Sequence, residues 1–357
     1  MHRLIPALLL CLAPLANANP AEAQRIQRGY ELRSETWALK YKLATTPEEQ
    51  NALLAARPDP SNAAAELFRT IAPSLQEDWS IPYAAFFLEL TRNLNAPDAD
   101  GNMTPAFMAE RKRIVDVFIA SHLGKPGIDP FVIALSDIGD PQALSILEKI
   151  ATDHPDEGIQ GIAALGAALS LSRLGDEPEL MKKRLTYLRK AIIQASDRKV
   201  GETTVADVAS DQLYIIQHLT KGRTAPEFIG TDVAGRIVKL SDYQGKITVL
   251  LFWDAQSPET DKIIELTNRL TSKNAGKAVD VIGITPEPAA RIKELQAEGA
   301  IKWNNIADPK DELAAAYRIT SRPAVFVIDA KGAIQYTGLP GSFVDLTVDA
   351  LVTGTAD

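Results

Sequence analysis

Phe252 to Thr260 reads F-W-D-A-Q-S-P-E-T and follows the apolar run Ile247 to Leu251. A run of β-formers that ends in an aromatic pair and stops at polar residues predicts a buried strand delivering a loop to a sheet edge. The loop then opens a helix. Ser257 suits the N-cap, Pro258 the first helical position and Glu259 the positive end of the helix dipole. Ile263, Ile264, Leu266 and Leu270 supply the apolar stripe that such a helix turns to a core.

Working outward, Phe228-Ile229 and Ile237 to Leu240 flank the turn region Asp232 to Gly235 and predict a β-hairpin. Val279 to Ile284 predicts a second buried strand, Ala289 to Leu295 a helix and Asp311 to Tyr317 a short helix. Ala324 to Ile328, turned at Ala330-Lys331-Gly332 into Ala333 to Tyr336, predicts a closing hairpin. Strands alternating with helices form an α/β sandwich.

F-W-x-x-x-S-P at Phe252 resembles the F-W-x-x-x-C-x-x-C motif of TlpA/ResA-type thiol-disulfide oxidoreductases. L-S-D-Y-Q-G-K, Leu240 to Lys246, and R-P-A-V-F-V-I-D-A-K-G, Arg322 to Gly332, extend the likeness, so that Thr224 to Val352 is similar to the redoxin family of AhpC/TSA and TlpA-like proteins. The resemblance implies a thioredoxin-like fold and, as family activity, thiol-disulfide exchange or peroxiredoxin-type antioxidant turnover. It implies cysteines where Ser257 and Thr260 stand, and a cis-proline at Pro323 facing them. That chemistry needs a thiolate held by the helix N-terminus and a second thiol to resolve the mixed disulfide. Here a serine and a threonine stand instead, so no family catalytic residue is intact.

The frame still offers a binding face of Trp253, Ser257, Thr260, Arg322 and Pro323. The Arg322 guanidinium can hold a carboxylate or phosphate, or lie solvated. Pro323 can leave a backbone edge free for an extended peptide, or serve the fold alone. Ser257 reads first as an ordinary helix cap.

His2 and Arg3 precede an apolar run from Leu4 to Ala13, and Ala16-Asn17-Ala18 offers a small-x-small cleavage site, with Ala21-Glu22-Ala23 as a second. This predicts a secretory signal over residues 1–23 and a periplasmic or extracellular address without a lipid anchor. No later run is long and apolar enough to span a bilayer. The single cysteine, Cys11, lies inside that signal. A chain cleaved after it carries no thiol for disulfide exchange, peroxide reduction or metal binding.

Residues 24–222 read as helical, with alanines and leucines at three- and four-residue spacings over Tyr30 to Leu43, Ala63 to Ile71, Tyr83 to Leu94, Pro105 to Ile119 and Val205 to Leu219. Pro58 to Pro60 and Asn95 to Asn102 read as loops. Leu135-Ser136-Asp137-Ile138-Gly139-Asp140 recurs as Leu171-Ser172-Arg173-Leu174-Gly175-Asp176, which suits a helix-pair repeat of the TPR or HEAT kind. Thr220 to Ala225 reads as the linker, which leaves 223–357 for the thioredoxin-like domain.

The net charge of −8 argues against a nucleic-acid partner. His2, His122, His154 and His218 lack metal-ligand spacing, and there is no nucleophile elbow, phosphate loop or dinucleotide fingerprint, so neither metal nor cofactor is called for. The resulting expectation is an exported, redox-inactive redoxin-like protein that binds another exported protein or peptide. The alternatives are the family's oxidoreductase activity and a purely structural role for the thioredoxin-like half.

Overall fold

The computed structural model describes residues 19–44, 46–97, 102–138, 141–255 and 260–354. The chain forms two compact units, one up to Ala209 and one from Ser210 onward.

The first unit is helical: α1 Pro20–Leu43, α2 Pro47–Ala55, α3 Pro60–Ile71, α4 Ile81–Thr91, α5 Met108–Ser121, α6 Asp129–Ser136, α7 Pro141–Asp153, α8 Glu157–Ser172 and α9 Pro178–Ala195, with α10 Val205–His218 crossing the division. Asn19 caps α1 by accepting the Ala21 N–H at 3.0 Å, and Pro20 fills the first helical position. The stretch read as a loop after Asn95 instead contains a ribbon, β1 Asn95–Pro97 paired antiparallel with β2 Met103–Pro105. A second short ribbon joins β3 Lys199–Val200 to β4 Thr203–Thr204.

The sequence repeat falls at equivalent places, at the ends of α6 and α8. Leu135 and Leu171 are both buried there. Arg173, which replaces Asp137 in the second copy, binds back onto the first through the Ser136 carbonyl at 2.9 Å and the Asp137 carboxylate at 3.3 Å. Helix α4 packs on α6, α6 on α8, and α8 on both α7 and α9, as stacked helix pairs do. Close approach at α8 depends on Gly161, where a Cβ would stand 2.5 Å from that of Ala195.

The second unit begins within α10 because Tyr214, Ile215 and Leu219 pack into its core. Thr220 to Ala225 is not a free tether: Gly222 N–H donates to the Ile334 carbonyl at 2.7 Å and Ile334 N–H to that of Arg223 at 2.8 Å. The predicted hairpin is β5 Ile229–Thr231 with β6 Ile237–Lys239. Asp232 Oδ1 closes its turn by accepting from Ala234 and Arg236 N–H groups, and Gly235 supplies the left-handed residue at φ 84°.

The main sheet runs β11-β10-β7-β8-β9, with β7 Ile247–Phe252, β8 Val279–Thr285, β9 Asn304–Ala307, β10 Ala324–Ile328 and β11 Ile334–Gly338. β7, β8 and β9 are parallel, and β10 and β11 antiparallel. All of β7 is buried, and its side chains alternate between two cores. Val249 and Leu251 face Ile263 and Leu270 of α11 Thr260–Lys273, Ile292 of α12 Ala289–Ala297, and Val344 of α14 Ser342–Thr353. Leu250 and Phe252 face Ala314 of α13 Glu312–Ala316 and Tyr317. Each such fully buried apolar side chain contributes about 1.5–3 kcal/mol, which makes β7 the element the unit is built on.

Candidate functional site

β7 ends at Phe252 and delivers Trp253 to the start of the loop. Ser257, Pro258 and Glu259, on which the cap and first-turn expectations rest, lie outside the described residues; α11 is described from Thr260. Thr260 is buried, and its Oγ1 donates to the Asp254 carbonyl at 2.7 Å, tying the first residue of α11 back to the strand end. That hydroxyl is engaged by the backbone at the strand end.

Trp253, expected on the binding face, is fully buried and presents nothing to a partner. Its backbone N–H donates to the Ile284 carbonyl at 3.0 Å, and its Nε1 donates to Asn305 Oδ1 at 2.9 Å. Trp303 meets it edge-on with ring centroids 5.9 Å apart. Gly283 lies beneath this group, where a Cβ would collide with Asn305 Oδ1 and stand 2.8 Å from Trp253 Nε1. An aromatic residue following a buried strand turns inward when the next layer offers its polar edge a partner. Asn305 is that partner, held in turn by donating Nδ2 to the Trp303 carbonyl at 2.9 Å.

The Arg322–Pro323 peptide is cis. Ala324 pairs with Phe252, so the half-buried Pro323 stands at the edge of β10 alongside the end of β7. The register thereby brings Pro323, Trp253 and the Asp254–Thr260 closure to one end of the sheet. Arg322, read as either an anion holder or a solvated arginine, holds a carboxylate of the chain's own. Its Nη2 pairs with Asp311 Oδ1 at 2.5 Å, while its Nε is buried without a hydrogen-bond partner. Asp311 is exposed, with a left-handed backbone at φ 56°, just ahead of α13. The α13 N-terminus is capped instead by Asp308, whose carboxylate accepts from the N–H groups of Glu312, Leu313 and Ala314. An incoming carboxylate therefore competes with Asp311 for Arg322.

Asn305 and Asp311 were missed as site residues. Both are short polar side chains in segments rich in such residues, and only the fold shows which of them meets Trp253 or Arg322.

The fold and this end of the sheet define a thioredoxin-like α/β domain that carries a cis-proline and no thiol at Thr260. Residues 221–337 match the AhpC/TSA family. The thiol-disulfide oxidoreductase ResA of Geobacillus kaustophilus is 24% identical over 157 residues, spanning 44% of this chain and 88% of the relative. ResA of Bacillus thuringiensis subsp. konkukian is 28% identical over 155 residues, spanning 43% and 87%. Among solved structures, the thioredoxin domain of a thiol-disulfide oxidoreductase from Bacteroides vulgatus aligns with a TM-score of 0.34 at 23% identity, over 37% of this chain and 98% of that one. Among the described residues, no helix is long and apolar enough to cross a membrane.

Proposed function

We propose that the chain is an exported, redox-silent redoxin-fold protein whose C-terminal unit docks an exported protein or peptide at the end of the sheet marked by Pro323 and Arg322. One observation carries the reading. The cis Arg322–Pro323 edge and the braced Trp253 are retained, while Thr260 Oγ1 is bonded to Asp254 and the only cysteine, Cys11, lies in the leader-like N-terminus. A frame without its thiols supports recognition and not exchange, because neither a mixed disulfide nor a resolving attack can form on serine or threonine. The relatives named as oxidoreductases favour the alternative of thiol exchange, but that requires a thiol the cleaved chain lacks. An acidic group on the partner would engage Arg322 by displacing Asp311 from it.

The test is cross-linking capture from an envelope fraction with the full mature chain and its Arg322→Ala variant, both checked for native circular dichroism. A partner captured by the parent and lost or weakened with Arg322→Ala supports the reading. Capture unaffected by the substitution removes the redoxin face from the function.

A further inference from the structure

We propose that the C-terminal half of α1 docks an acidic amphipathic helix of a partner protein along an exposed leucine seam. The site lies in the helical unit, away from the Pro323 end of the sheet, and goes beyond the function proposed above.

α1 is apolar on two faces. On one, Ala23 and Ile26 are buried, and Trp37 donates its Nε1 to the Leu53 carbonyl of α2 at 2.6 Å. At about 3.6 residues per turn, Leu32, Thr36, Leu39 and Leu43 share a stripe on the far side of the helix from these. The three leucines are 56, 60 and 69% exposed. Steps of four, three and four residues are those of a seam that packs against another helix. Leucines exposed singly need no explanation, whereas three aligned ones do. α1 also opens the terminal helix pair of the stack, packing on α2, α3 and α4, and a terminal pair keeps a polar outer face unless something covers it.

Charge beside the seam selects the occupant. Arg33 and Lys40 line one flank and Lys42 the other, and none of the three has an ion-pair partner among the described residues. Glu35, the acidic residue on the flanks, is set against Arg28 at 3.9 Å. Lys40 and Lys42 also complement the carboxyl end of the α1 dipole, but Arg33 lies more than two turns from that end and does not. A chain of net charge −8 thus borders an apolar stripe with unpaired cations. A second copy would set these cations against one another, whereas glutamates flanking the leucines of an incoming helix would pair with them.

The experiment uses the purified mature chain and a fluorescein-labelled three-heptad peptide with leucine at its seam positions and glutamate on both flanks, followed by anisotropy. A lysine-for-glutamate peptide serves as comparison. The glutamate peptide is expected to bind, more weakly as salt rises, and the lysine peptide not to bind. Leu32→Ser/Leu39→Ser, both at exposed positions, should abolish binding with the circular dichroism unchanged. Arg33→Glu/Lys40→Glu should weaken the glutamate peptide about tenfold and admit the lysine peptide. Lys293→Glu/Lys302→Glu, the same charge change at exposed positions of the other unit, should alter neither.

Binding of neither peptide, equal binding of both, an unchanged preference in Arg33→Glu/Lys40→Glu, or equal loss in the control would each overturn the proposal. So would sedimentation of the chain with anionic phospholipid vesicles that Leu32→Ser/Leu39→Ser abolishes, which would give the seam to a membrane surface. Arg322→Ala, which tests the redoxin face, should leave peptide binding unchanged, so that either reading can fail alone.

Discussion

Trp253 Nε1 donates to Asn305 Oδ1 at 2.9 Å inside the core, joining the end of β7 to β9 across the Gly283 position of β8. The strand that leads to the redoxin loop is thus braced by a buried polar contact that does not depend on any thiol. A buried donor that loses its acceptor keeps its full desolvation cost.

Asn305→Leu should therefore destabilise the C-terminal unit by about 1–3 kcal/mol. Gly283→Ala should also destabilise it, because the added methyl enters the space of Asn305 Oδ1. Urea unfolding followed by tryptophan fluorescence measures both. Unchanged midpoints would show that the contact does not hold the strand end.

Asn19 caps α1 and Ala23 is fully buried within it. Signal cleavage is expected after Ala18, which keeps the cap, and not after Ala23, which would remove the cap, Pro20 and a buried residue. If the chain is exported as proposed, N-terminal sequencing of the processed chain should begin at Asn19; a start at Gln24 would contradict this.

Asp156 caps α8, accepting from Gly158 N–H at 2.7 Å and Ile159 N–H at 3.2 Å. The Ile159 N–H, opposed by partial desolvation and reinforced by Gly158 and Arg198, holds its carboxyl below the usual carboxylate range. A carboxyl depressed in the folded state contributes stability above its unfolded value of about 4, and that contribution is lost as pH falls through the lower folded value. Asp156→Ala should cost about 1 kcal/mol at pH 7, and less at pH 3. Urea midpoints at the two pH values check the sign, and an equal cost at both would contradict it.

Much of the C-terminal unit was legible because β7, β8 and β10 are short runs of branched and apolar residues, and because the Asp232 turn and Gly235 announce their hairpin. β9 was hidden: Asn304 and Asn305 break the apolar pattern, although Asn305 is buried for the sake of Trp253. Periodicity likewise could not show which way Trp253 turns at a strand end, since inward and outward aromatics read alike. The Arg322–Asp311 pair joins residues from two separate loops, a relation that neither loop carries alone. In the helical unit the repeat was visible, whereas the β1–β2 ribbon, built on Asn, Pro and Thr, had no strand signal.

The most direct test of the central claim is insulin reduction by the purified mature chain, run beside its Ser257→Cys/Thr260→Cys variant. On the proposed reading the parent stays at the buffer rate and the variant, with thiols restored, rises above it. Turnover by the parent chain would contradict the account.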